Sequence, residues 1–293
     1  MHKAGFVNIV GNPNVGKSTL MNLLVGERIS IATFKAQTTR HRIMGIYNTD
    51  EMQIVFSDTP GVLKPNYKLQ ESMLHFSNSA LSDADVLLYV TDVVETPDKN
   101  AEFIEKVKHQ SAPVLVLINK IDQTNQDKLI ELVESWKEIF PDAEIIPISA
   151  LSKFNVDYVM KRIRELLPDS PPYFDKDQWT DKPARFFVTE IMREKILLYY
   201  DKEVPYSVEV VVEQFKEDAK KIVIHAVIYV ERDSQKGIII GKQGKALKKV
   251  ATEARKDLER FFGKTVYLET HVKVDKDWRS SDRQLRSFGY HLD

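Results

Sequence analysis

The chain has 293 residues, 42 Lys+Arg against 43 Asp+Glu, a formal net charge of −1, 43% apolar residues and no cysteine. That composition excludes global disorder, disulfides and thiolate metal sites, and it fits a reducing compartment. No apolar run approaches the ~18 residues of a membrane span. Met1 leads straight into a short apolar strand without a signal-peptide pattern, so a cytoplasmic location is expected.

Residues 1–167 alternate apolar runs with helical stretches. This is the pattern of an α/β domain whose mostly parallel sheet carries helices on both faces. The runs Phe6–Val10, Gln53–Ser57, Val86–Thr91, Val114–Ile118 and Ile145–Ile148 suit strands buried on both sides. Arg42–Tyr47, followed by Asn48-Thr49-Asp50-Glu51, predicts a strand turned back on Gln53–Ser57 and hence one antiparallel edge. Helices are expected over Asp98–His109 and Asp127–Phe140. Pro168, Pro171, Pro172 and Pro183, set among acidic and polar residues, mark 168–183 as a linker.

Residues 184–293 follow a different order. A helix over about 184–200 precedes strands at about 206–214 and 221–231, then a short helix. Gly241-Lys242-Gln243-Gly244, a long helix to Phe262 and a last strand, Thr265–Val274, complete it. From Asp181 onward 23 basic residues stand against 19 acidic, a net of +4, while the remainder carries −5. A basic half joined to an acidic half points weakly to a polyanion partner.

Gly11-Asn12-Pro13-Asn14-Val15-Gly16-Lys17-Ser18 matches the phosphate loop G-x-x-x-x-G-K-[ST], between a strand and the helix that Thr19 continues. Its glycines admit phosphates to the backbone N–H groups, Lys17 reaches the β- and γ-phosphates, and the Ser18 hydroxyl ligates Mg²⁺. Asp58-Thr59-Pro60-Gly61 closes a strand about forty residues later. By itself that is a common turn. After a phosphate loop it places Asp58 to hold Mg²⁺ through water and the Gly61 N–H on the γ-phosphate. Asn119-Lys120-Ile121-Asp122 ends the Val114–Ile118 strand, and the Asp122 carboxylate accepts from guanine N1–H and N2–H₂. Adenine lacks both donors, and a buried mismatch leaves polar groups unpaired. Ser149-Ala150-Leu151 would give a backbone N–H to guanine O6. Four motifs in this order specify GTP or GDP with Mg²⁺.

These motifs resemble those of a translation-factor-class P-loop GTPase, and Lys35-Ala36-Gln37-Thr38-Thr39-Arg40-His41-Arg42 resembles the first switch of the Era family. The resemblance implies a switch threonine that closes on Mg²⁺: Thr39, with Thr38 the neighbouring alternative. Many GTPases place a glutamine after the Asp-x-x-Gly motif to orient the attacking water. Val62 stands there and cannot hydrogen-bond water through its side chain. In related GTPases an asparagine at the position of Asn14 helps hold K⁺ against the phosphates, so potassium activation is expected alongside catalytic parts for Lys17, Thr39 and Gly61. The family usually has arginine where this chain has Asn12.

The second signature is Ile238-Ile239-Ile240 followed by Gly241–Gly244, then Lys245-Ala246-Leu247. A Gly-x-x-Gly loop between helices lets a single-stranded nucleic-acid backbone pass close, as in the KH module. The helix-strand-strand-helix-helix-strand order resembles an α+β type II KH fold. Lys245, Lys249, Lys256 and Arg260 share one helix face, flanked by Lys248 and Arg255, and these cations would neutralise phosphates. Ile239 and Ile240 read as core whose upper edge lines the base groove. Trp278 and Arg279, in the tail that runs to Asp293, suit either base stacking or packing of a terminal helix. Resemblance to Era runs from residue 3 to about 290. It implies binding to the 3′ end of 16S rRNA, assistance to 30S subunit assembly, a monomer, and peripheral association with the inner membrane. The alternative is a KH-containing GTPase acting in RNA modification or stress signalling.

Overall fold

The computed structural model describes residues 2–96 and 100–290. Two compact units emerge, Met1–Asn66 with Gln70–Asp181, and Tyr67–Leu69 with Lys182–Asp293.

In the first unit the strands are β1 (Lys3–Gly11), β2 (Ile43–Asn48), β3 (Met52–Asp58), β4 (Val86–Asp92), β5 (Val114–Asn119) and β6 (Glu144–Pro147). They form one sheet in the order β2-β3-β1-β4-β5-β6. All neighbours are parallel except β2, which pairs antiparallel with β3 as the hairpin pattern predicts. The helices are α1 (Lys17–Val25), α2 (Lys68–Ser82), α3 (Ala101–Lys108), α4 (Gln126–Ile139) and α5 (Val156–Leu166). The expected start of the third helix at Asp98 lies outside the described residues. Helix α5, which the sequence reading did not name, buries Val156, Val159 and Ile163, a spacing that puts them on one face. Strand β4 is buried at every position, as a central parallel strand must be. β1 lies between β3 and β4, so the loops leaving β1, β3, β4 and β5 gather at one end of the sheet.

Residues 168–181, read from composition as part of a linker, run against the first unit. Lys3 bridges Asp169, and Gly45 bridges Thr180 on the outer edge of β2. Ile46 N donates to Trp179 O at 2.9 Å, Met44 N to Asp181 Oδ1 at 2.9 Å, and Thr180 Oγ1 to Met44 O at 2.7 Å. The buried Gln53 amide fastens the middle, accepting from Tyr173 N and Phe174 N and donating to Phe174 O. The prolines keep this strap extended, and the β2 edge supplies the hydrogen bonds that composition does not reveal.

In the second unit, α6 (Ala184–Tyr199), β7 (Glu209–Glu217), β8 (Lys221–Val230), α7 (Asp233–Ile240), α8 (Lys245–Phe262), β9 (Thr265–Val274) and α9 (Asp282–Ser287) follow in order. β8 pairs antiparallel with β7 and parallel with β9. The core between sheet and helices includes Val188, Met192, Ile196, Ile224, Ile228, Ile239, Ala254 and Leu258.

Candidate nucleotide and nucleic-acid sites

The phosphate loop springs from the buried C-terminal end of β1. Gly16 caps α1 in the left-handed region at φ 98, and no side chain caps the helix. Its first-turn N–H groups, those of Lys17, Ser18 and Thr19, therefore point along the axis as an anion cradle. A Cβ on Gly16 would lie 2.3 Å from Asn119 Nδ2, so only glycine fits. Lys17 is buried, with Nζ donating to Gly11 O at 3.0 Å and Asn12 O at 2.7 Å. Burial lowers its pKa to about 8, opposed by the negative charge of Asp58 and Glu95. Gly61 lies against this loop; a Cβ there would stand 2.6 Å from Pro13 Cα.

Ser18, Thr39 and Asp58 converge. Ser18 Oγ donates to Asp58 Oδ2 at 2.6 Å and lies 2.8 Å from Thr39 Oγ1, which is itself 3.3 Å from Asp58 Oδ2. Asp58 is fully buried, and its Oδ1 has no hydrogen-bond partner among the described residues. Burial raises its pKa, against the Ser18 hydrogen bond and the Lys17 charge. An all-oxygen cluster around a buried carboxylate with an unused lone pair fits a hard divalent cation such as Mg²⁺. The two switch threonines are held differently: Thr38 Oγ1 bonds Lys35 O at 2.6 Å and Thr33 Oγ1 at 2.7 Å, whereas Thr39 Oγ1 faces Ser18 and Asp58. Thr59 turns its hydroxyl away, to Ile9 O at 2.8 Å, and Pro60 O accepts from Ser77 Oγ.

At the other end, Asn119 joins two loops. Its Nδ2 donates to Val15 O at 2.8 Å, and its Oδ1 accepts from Ala150 N at 2.9 Å. Lys120, at φ 63, reaches Asn14 O at 2.5 Å and Asp92 Oδ2 at 2.6 Å. Asp122 is exposed, with Oδ1 held by Ser149 Oγ at 2.6 Å, so its carboxylate is oriented before any base arrives. Asn14, at φ 65, and Leu151 are exposed at the rim.

The second unit carries a cleft of about 350 Å³ lined by Gly244, Leu247, Lys248, Ala251, Thr252, Arg255, Leu268 and Thr270. It opens beside the Gly-x-x-Gly loop, where Lys242, Gln243 and Lys245 are exposed and Gln243 sits at φ 53. Lys248 and Arg255, the residues flanking the stripe, are the cations that line the cleft. Lys249 and Lys256 belong to another face: Lys249 Nζ lies 4.3 Å from the Tyr199 ring centroid, and Lys256 pairs with Glu253. At 100° per residue the cleft face and the Lys245–Lys249–Lys256 stripe stand roughly 120° apart around α8. Leu268 and Thr270 escaped the sequence reading because β9 meets α8 only in three dimensions, although alternate positions on a strand beside the loop were the available signal.

Four of the expected RNA-binding residues have their side chains engaged within the second unit, the two isoleucines as the core they were read to be. Ile239 is fully buried and Tyr200 Oη donates to its carbonyl, so it belongs to the core, while Ile240 packs against that core. Trp278 is fully buried, its Nε1 donating to Ser207 O at 2.9 Å, and it cannot stack on a base. Arg279 Nε donates to Glu231 Oε2 at 2.9 Å, which commits the guanidinium to an internal ion pair. Tyr290 Oη closes the tail onto Glu209 Oε2 at 2.8 Å. The aromatic-and-arginine pattern therefore packs the terminal helix, the other reading its composition allowed.

Fold and site together define a P-loop GTPase joined to a type II KH module. Two family models match accordingly: 50S ribosome-binding GTPase over residues 6–120 and KH domain over residues 203–279. GTPase Era of Staphylococcus haemolyticus (strain JCSC1435) is 44% identical over 291 residues, which is 99% of this chain and 97% of that protein. A crystal structure of Era with MgGDPNP and nucleotides 1506–1542 of 16S ribosomal RNA matches at 41% identity and TM-score 0.95, covering 100% of both chains. Aquifex aeolicus Era bound to GDP and AlF4⁻ matches at 41% identity and TM-score 0.94, over 99% of this chain and 100% of that one. The chain belongs to the Era family and is a GTPase.

Proposed function

We propose that this protein is a GTP-hydrolysing switch that binds the 3′ end of 16S rRNA and assists 30S subunit assembly. One observation carries the reading: a nucleotide site with its Ser18–Thr39–Asp58 oxygen cluster and a KH cleft rimmed by Lys248 and Arg255 occur in one chain. It is supported by likeness over the whole chain to an Era that holds this RNA segment with MgGDPNP.

In this reading Lys17 and the N–H groups of α1 hold the phosphates, Gly61 N–H bonds the γ-phosphate, and Asp122 selects guanine. Ser18, Thr39 and Asp58 hold Mg²⁺, whose charge offsets that of the phosphates during transfer. Val62 cannot orient water through its side chain, so Asn14 at the loop rim would help hold K⁺ as added positive charge. Lys242, Lys245, Lys248 and Arg255 follow the RNA backbone while bases enter the cleft. Among the described residues no helix is long and apolar enough to cross a membrane. The protein works in the cytoplasm as a monomer, with any contact to the inner membrane peripheral.

GTP hydrolysis in KCl or NaCl of equal ionic strength, with and without an oligonucleotide copying the 3′ end of 16S rRNA, tests both halves. Stimulation by that RNA and not by a scrambled one, and faster turnover in KCl, is expected. Indifference to RNA sequence would overturn the ribosomal target, and equal rates in the two salts would remove the potassium site.

A further inference from the structure

Asn12 of the phosphate loop, Glu95 and Asn100 form a side-chain hydrogen-bonded series. Asn12 is 3% exposed and Glu95 8% exposed, and Asn12 Nδ2 donates to Glu95 Oε2 at 2.9 Å. Asn100 Nδ2 donates to Asn12 Oδ1, and lies 3.3 Å from Val62 O. Val62 N in turn donates to Gly11 O at 3.1 Å. The Val62 backbone is thus held at both polar atoms, next to Gly61, which lies against Pro13 of the phosphate loop.

The series has a direction. A carboxylate only accepts, so Glu95 draws the NH₂ of Asn12 toward itself and leaves the Asn12 oxygen for Asn100. Asn100 must then donate, and the amide that serves Asn12 also serves the Val62 carbonyl. The other end is anchored as well: Glu95 N donates to Asp92 Oδ1 at 3.0 Å, and Asp92 Oδ2 takes Lys120 Nζ. A continuous set of contacts therefore runs from the guanine-side loop to the backbone that follows Gly61, with each member buried or half-buried.

We propose that Glu95, Asn12 and Asn100 are positioning residues for GTP hydrolysis, fixing the Gly61–Val62 backbone against the phosphate loop. Val62 offers no side-chain hydrogen bond of its own, so the alignment of this segment depends on what grips its main chain. A lapse in that grip misaims the Gly61 N–H when charge develops on the γ-phosphate and matters far less to a bound diphosphate, which the loop and α1 hold by themselves.

The test measures single-turnover GTP hydrolysis and GDP affinity in the full chain. Asn100→Leu and Glu95→Leu should each lower the rate about tenfold with GDP affinity kept within about threefold. Glu95→Gln, which retains an acceptor oxygen for Asn12, should restore most of the rate. Asn12→Leu combined with Asn100→Leu should be little worse than either alone, because both break one series. Unchanged rates in the two leucine variants would overturn the proposal. So would a parallel loss of GDP affinity, or Glu95→Gln as impaired as Glu95→Leu, either of which reduces the trio to a brace for the loop.

Discussion

Trp278 offers the sharpest trial of the second unit's architecture. The indole is fully buried, donates to Ser207 O at 2.9 Å, and meets the Phe288 ring edge-on at a centroid distance of 5.5 Å. Trp278→Phe keeps most of the apolar contact but leaves the buried Ser207 carbonyl without its indole donor. An unsatisfied buried acceptor costs about 1–3 kcal/mol. Trp278→Ala adds a cavity and should cost about 3–5 kcal/mol. Native-state hydrogen exchange at β8 amides reads the loss directly in the intact chain, without assuming that both units unfold together. The opening free energy should drop by these amounts, while RNA affinity of the still-folded Trp278→Phe protein stays within about twofold. A Trp278→Phe variant with unchanged exchange and strongly weakened RNA binding would refute the reasoning and return the indole to base stacking.

Three further outcomes follow from the same geometry. Gly241 sits at φ 71, and a Cβ there would lie 2.5 Å from Ala246 Cβ, so Gly241→Asp should distort the loop and abolish RNA binding while basal GTP hydrolysis continues. Lys248→Ala or Arg255→Ala should each reduce the slope of log affinity against log salt by about 0.7, whereas Lys249→Ala and Lys256→Ala should leave it nearly unchanged. Lys17 has its pKa lowered to about 8 from 10.5, so between these values the unfolded chain binds more protons and nucleotide-free stability rises with pH. Lys17→Met should remove that rise, worth about 3 kcal/mol at most, and melt higher than the parent at pH 7 while losing nucleotide binding. Thermal unfolding of both proteins at pH 7 and pH 9.5 checks this; a parent no steadier at the higher pH, relative to the variant, would contradict it.

The nucleotide site was legible because its chemistry is carried by short contiguous motifs at strand ends. Gly16, Lys17, Asp58 and Asn119 are fixed by what their own loops must do. The sequence could not order Thr38 and Thr39, since only the fold shows which hydroxyl meets Asp58. The KH order was likewise legible, and its last strand falls at Thr265–Val274 as read. The cleft was not, because periodicity finds a stripe of cations on α8 but not which face β9 covers. Trp278 and Arg279 stayed ambiguous for a related reason: an aromatic beside an arginine has the same signature whether it meets a base or, as here, Ser207 and Glu231. Glu95 and Asn100 belong to no motif, and their meaning depends on the approach of three loops far apart in sequence.

The strap along β2 bears on where this GTPase can be cut. Strand β2 has Asp58's strand on one side, with Ile43 opposite Asp58 itself, and Trp179–Asp181 on the other. A fragment ending at Leu167 would expose the outward N–H groups of Met44 and Ile46 along a bare sheet margin, the kind of surface that recruits strands from other copies. One ending at Asp181 keeps that margin closed. The former should self-associate and the latter remain dispersed, which makes the proline-marked stretch the last piece of the catalytic domain.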